Sequence, residues 1–339
     1  KAQPGEWIQG SGWLNTVWEN TDYPTKEDLD AVAPNNPVYL SRADGHMCWV
    51  NSMAFELAGI TKDTPNPQGG EYLKTDSGEL LGCVTDTAMY PISGLIPDFT
   101  IQQKKDALLM AQEQLFSYGL TSAMNAGTSV EYLNEVYRPL YESGQLKLRS
   151  YLLMSLSSTE GEQADYLRTT APQGGLYNNH MDVRAVKLFS DGSLGARSAA
   201  MLEDYSDRAG HTGNNRYTDD EMYALVKLAY ENGYQMGSHA IGDAAIEMVL
   251  DTFENVNRTS PDNPLRHGIV HCQITDSALI DRFASTHTAA LVQPIFLHYD
   301  QHIVAQRRHL HGGQCRQHLA QPPNLPLHES QSVHARIEL

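Results

Sequence analysis

Val-Lys-Leu-Phe-Ser-Asp-Gly-Ser-Leu-Gly occupies residues 186–195. It begins as an apolar, strand-like run, carries a lysine near the end of that run, and closes in a polar turn. Two later stretches repeat the pattern with histidine: Gly-Ser-His-Ala-Ile-Gly-Asp (237–243) and His-Gly-Ile-Val-His-Cys-Gln (267–273). In a parallel α/β barrel the C-terminal strand ends share one mouth, and barrel enzymes carry their chemistry there. Lys187, His239 and His271, at equivalent heights on successive strands, are therefore expected to meet at a metal.

The surrounding pattern supports such a sheet. Strands are predicted over 120–126, 148–156, 183–189, 234–239, 268–272 and 289–296. Helices are predicted over 100–118, 130–143, 160–171, 218–232, 243–256 and 276–285. Thr100 can cap the first of these helices and Gly119 can stop it. Asp219, Asp220 and Glu221 favour the positive end of another. Strands alternating with helices through short connections argue for a parallel sheet covered by helices. The expected class is α/β, a (β/α)8 TIM-type barrel with six strands visible and two not. Residues 100–300 would form it.

Residues 1–99 differ. They are rich in Trp, Pro, Gly and Asn and show little periodicity. A short strand is predicted at 36–42 and a helix over 48–59, closed by Gly59. This part reads as an irregular inserted subdomain. The stretch 301–339 differs again, with six of the fourteen histidines, four arginines, two acids and no lysine. A shifted reading frame explains that composition best, ahead of a disordered tail or a divergent end.

Bulk properties narrow the function. A chain of 339 residues with 41% hydrophobic residues can bury a large core. No apolar run approaches the roughly 18–20 residues of a spanning helix. The formal charge of −17 disfavours nucleic acid and anionic membranes as partners and leaves a small-molecule substrate. Cys48, Cys83, Cys272 and Cys315 form no CxxC pair, which suits reduced thiols and a cytoplasmic default. The start at Lys1, without Met or a signal pattern, is read as a truncation that would have removed any signal peptide.

Each candidate residue also has a bland reading. A strand-end lysine can pack its stem and send its amine to water. Alternatively, Lys187 is carbamylated by CO2 and becomes an anionic metal ligand. Only a neutral amine adds CO2, and desolvation favours that form. His239 is either a satisfied core histidine or a ligand, and Asp243 after it can be a helix cap. Alternation sends His271 and Ile269 to one face, with Val270 and Cys272 on the other. Imidazole suits zinc and related ions. Three protein ligands plus water mark a catalytic zinc site rather than a structural one.

Several stretches together resemble the amidohydrolase superfamily. They are Trp-Ile-Gln-Gly-Ser-Gly-Trp (7–13), Asp-Gly-His (44–46), Trp-Val-Asn-Ser (49–52), Val-Lys-Leu-Phe-Ser-Asp-Gly-Ser (186–193), His-Ala-Ile-Gly-Asp (239–243) and the run from Arg266 to His271. The narrower resemblance is to amidohydrolase family 3, which includes N-substituted formamide deformylases. It implies zinc or another divalent metal, one or two ions, held by carboxylated Lys187, His239 and His271. It places His46, Trp49 and Asp191 near the substrate.

The resemblance also implies a His-x-His pair on a strand before Lys1 and a final acid/base Asp on strand eight. His309-Leu310-His311 has the spacing of that pair, but no apolar strand precedes it. Asp300 is a poor substitute for the final Asp. Two expectations follow. The first is a hydrolase of C–N bonds in amides, formamides or cyclic amides. The second is a non-catalytic fragment or regulatory protein, whose unpaired sheet edges would favour a homo-oligomer.

Overall fold

A computed structural model describes residues 2–259 and 265–296, together with Asp300, Ile303 and Val304. The chain builds two sheets. Residues before 100 supply β1 (Ile8–Trp13), β2 (Val38–Arg42), β3 (Met47–Val50), β4 (Gly70–Lys74) and β5 (Leu80–Asp86). Their order is β1-β2-β3-β5-β4. The β1–β2 pair is parallel and the other pairs are antiparallel.

The sequence conceals this sheet because its strands are short and β1 is largely exposed, so apolar alternation is weak. The helix predicted over 48–59 is a strand followed by a shorter helix, Ser52–Leu57. Asn51 separates the two. Its side chain caps the helix by accepting from Ala54 N at 3.2 Å, and it also accepts from Val38 N at 3.0 Å.

The second sheet contains β6 (Ser122–Thr128), β7 (Arg149–Ser155), β9 (Met181–Phe189), β10 (Gln235–Ala240), β11 (Gly268–His271) and β12 (Ala289–Leu291). A three-residue strand, β8 (Gln173–Gly175), pairs antiparallel with β9 at its side. The six main strands are all parallel, in the order β6-β7-β9-β10-β11-β12, and curl as a half-barrel. Their apolar residues, including Leu152, Val186, Met236 and Ile269, join one core with helix residues such as Ile246 and Phe253.

Local chemistry sets the helix ends. Thr100 begins Ile101–Ser117 and Thr218 begins Asp219–Glu231, each in a reciprocal capping box. Gly119 follows the first helix with φ 76°, a left-handed position that glycine adopts without steric cost. Among the described residues no helix is long and apolar enough to cross a membrane.

The two sheets meet at the loop after β9. Ser193 Oγ donates to Asp44 Oδ2 at 2.6 Å. Arg208 grips Glu71 with both Nη atoms at 2.7 and 3.0 Å. Arg197 Nη1 donates to the Tyr23 hydroxyl at 2.7 Å. These contacts hold the first subdomain, through its β2–β3 turn, β4 and Tyr23, against the loop after β9. Ile303 is buried with Leu194, Tyr205 and Ile274, and Val304 packs against them; the other residues of 301–339, including His309 and His311, lie outside the described residues.

Candidate active site

Lys187, His239 and His271 are all buried, with 2%, 0% and 6% of their surface exposed. Their heights are staggered rather than equal. Lys187 pairs with Gly237, His239 with Phe189 and Val270, and His271 with Ala240. Residues two apart on a strand share a face, so Lys187, level with Gly237, faces the same side as His239.

By the same alternation His271 would face away from His239, yet their rings lie 4.6 Å apart, edge to face. His271 escapes the pleat by taking φ 83°, followed by Cys272 at φ 49°. Left-handed backbone at non-glycine residues costs of order 1–3 kcal/mol and clusters at functional sites. Here it turns the imidazole back toward the shared mouth.

The surroundings of these side chains are specific. Lys187 Nζ donates to Leu188 O at 3.0 Å and stands 3.3 Å from the Phe189 ring centroid. His239 Nε2 lies 2.9 Å from Gly192 O and 3.2 Å from Asp191 Oδ1, while its Nδ1 is buried without a partner among the described residues. Burial, then the nearby His46, His271 and Lys187, hold the His239 pKa well below the usual histidine range. The ring is therefore neutral, as a metal ligand must be. His271 Nδ1 contacts Gln293 Oε1 at 2.8 Å.

The residues expected near substrate divide. His46 closes the cluster from the first sheet, its ring 4.8 Å from that of His239. Asp86 holds it, with Oδ1 2.6 Å from His46 Nδ1. Asp86 adopts φ 45° and is buried, and its Oδ2 lacks a partner among the described residues. Asp191 is fully buried. Its oxygens accept from Ala200 N at 3.0 Å, Ile241 N at 3.1 Å and Gly242 N at 2.8 Å. Burial pushes its carboxyl up to about 7, against the pull of those donors. Trp49 donates to Thr25 O at 2.7 Å and packs edge-on against Trp13. The structure thus brings Lys187, His239, His271, His46 and Asp191 together and leaves Trp49 in the first sheet's own packing.

Two residues that no motif marked complete the cleft. Asp86 ends β5, and Arg216 precedes the cap of Asp219–Glu231. Together with His46, Tyr90 and Phe189 they line a cleft of about 160 Å3. Neither carries a local signal in the sequence, since loops and subdomain docking bring them in. Among the described residues, no three His, Cys, Asp or Glu side chains converge as a metal site. A lysine amine and two imidazoles, one with an orphaned buried nitrogen, still form a donor set that fits a divalent ion.

His267, the neighbour of this cluster at the opposite end of β11, is a core histidine. Its Nδ1 accepts from Met236 N at 3.1 Å, and burial lowers its pKa to about 4. A depressed histidine pKa contributes stability that is present above the unfolded value near 6.5 and lost as pH falls toward 4. About 3 kcal/mol should disappear across that window. Urea unfolding of His267→Gln between pH 7 and 5 should show a flatter slope than the parent. Identical slopes would remove His267 from this account.

The parallel sheet delivers buried ligand-type side chains to the C-terminal ends of its strands, the side on which parallel α/β sheets carry their sites. A profile of the amidohydrolase family matches residues 1–327, and the chain belongs to that family. It is 30% identical over 315 residues to Protein LONG AFTER FAR-RED 3 of Arabidopsis thaliana, covering 90% of this chain and 53% of that one. It is 28% identical over 291 residues to N-substituted formamide deformylase of Arthrobacter pascens, covering 83% and 52%. An uncharacterized metal-dependent hydrolase from Pyrococcus furiosus superposes with TM-score 0.59 at 27% identity, covering 89% of this chain and 59% of that chain. The chain spans about half the length of the curated relatives it matches.

Proposed function

We propose that this chain carries part of a metal-dependent hydrolase that cleaves a C–N bond in an amide, formamide or cyclic amide. One observation carries the reading most. Lys187, His239 and His271 reach one buried mouth from successive strands, and His239 Nδ1 is left without a partner among the described residues. The family and the similar metal-dependent hydrolase support it, as does a half-barrel that suits part of a (β/α)8 barrel.

Lys187, carbamylated by CO2, would hold zinc or another divalent ion together with His239 and His271. Such an ion polarises a carbonyl and makes water a nucleophile near neutral pH. The chain's own residues do the rest. Asp86 fixes the ring orientation of His46 at the cleft, Phe189 screens the Lys187 amine, and the Asp191 brace sets the height of His239.

Release of amine from N-formyl and N-acetyl amines tests the proposal, after loading with zinc and bicarbonate. Turnover should appear, vanish on chelation and return with zinc. Absence of both metal uptake and turnover would overturn it, and metal uptake without turnover would favour the non-catalytic reading.

A further inference from the structure

The geometry points to a substrate class for this cleft: amides that carry a carboxylate beside the scissile bond, with the carboxylate read by Arg216. The inference rests on the hydrolase reading of the same site and narrows it.

Arg216 is held before any ligand arrives. Its backbone N donates to Ser190 O at 2.8 Å. Its Cα lies so near Gly69 that a Cβ there would stand 2.9 Å away, so only glycine lets the two loops approach. The guanidinium carbon sits 5.5 Å from the Phe189 ring centroid and 5.6 Å from that of Tyr90, and the group donates to the Tyr90 hydroxyl. A guanidinium has five N–H donors in a planar fork. Among the described residues no carboxylate pairs with this one, although the chain carries an excess of acids. Its spare donors face a cleft.

Arg216 lines the cleft and approaches the Phe189 ring. Of the nearby acids, Asp191 is saturated by backbone N–H groups, and Asp86 is turned to His46 through Oδ1 while its Oδ2 has no partner among the described residues. The His239 ring also contacts Phe189, with centroids 5.4 Å apart. The guanidinium and the candidate metal ligand therefore share one phenyl ring as neighbour, the reach of a small molecule that spans both. A fork with free donors matches a carboxylate in two parallel bonds. The bland reading, an arginine stem packed on Tyr90, explains the stacking. It does not explain why, among the described residues, the head lacks an acid in so acidic a chain.

Isothermal titration of the zinc- and bicarbonate-loaded chain with N-formylphenylalanine and with N-formylphenylalaninamide decides the matter, with formate release measured in parallel. The acid should bind at least tenfold more tightly than the amide at low salt. Arg216→Gln should bring the ratio to within about twofold, and Arg216→Lys should keep part of it. Equal affinities in the parent, binding of neither compound, or a preference that survives Arg216→Gln would overturn the inference. If Arg216→Gln does not fold, the parent and Arg216→Lys still decide. Hydrolysis of both compounds without preference sinks this inference alone. An Arg216-dependent preference without hydrolysis sinks the hydrolase reading alone.

Discussion

Lys187→Ala is expected to lose the metal and, with it, essentially all hydrolysis. Removing a group that only orients a metal ligand typically costs about 10–100-fold in affinity or activity. Loss of a ligand that also supplies negative charge should exceed that. The fold should survive, because the hydrogen bond from Lys187 Nζ to Leu188 O is local, one residue along the same strand, and the amine end stands over the Phe189 ring. Desolvating an amine is itself costly, so alanine removes that cost along with a contact. Metal content by elemental analysis and the circular dichroism melt should therefore part company, the first collapsing and the second shifting little. Unchanged metal content would reduce Lys187 to a packed lysine.

Asp191→Ala should do the reverse and unfold the site. The carboxylate binds the amides of Ala200, Ile241 and Gly242, tying the loop after β9 to the turn after β10. Each buried donor left alone costs about 1–3 kcal/mol. Allowing for partial relaxation, the total should be about 3–5 kcal/mol, the range for breaking a buried charged network. The urea midpoint should fall accordingly. A loss below about 1 kcal/mol together with a loss of activity would mean that Asp191 acts on substrate rather than as a brace.

The residues that sequence reading marks and those it misses differ in a physical way. Lys187, His239 and His271 are legible because apolar runs define strands, and parallel strands present their ends on one side. The direction of His271 is not legible. Alternation turns it away from His239, and only its left-handed backbone brings it back. The first sheet is hidden because a strand such as Ile8–Trp13 buries little and shows no alternation. Asp86 and Arg216 are hidden because their meaning comes from docking. The one reaches the mouth through a sheet that the sequence conceals, and the other through a glycine contact at Gly69 more than a hundred positions away. Asp191 sits within a legible motif, but its burial and three backbone donors appear only when two strand ends are set side by side.

The central claim is that Lys187, His239 and His271 hold a metal. Anomalous diffraction at the zinc edge, from crystals grown with zinc and bicarbonate, tests it most directly. The account predicts a peak bounded by the Lys187 amine end and the two imidazoles, with extra density on Nζ for the carbamate. A well-ordered mouth with no peak, or a peak held only by residues elsewhere, would contradict it.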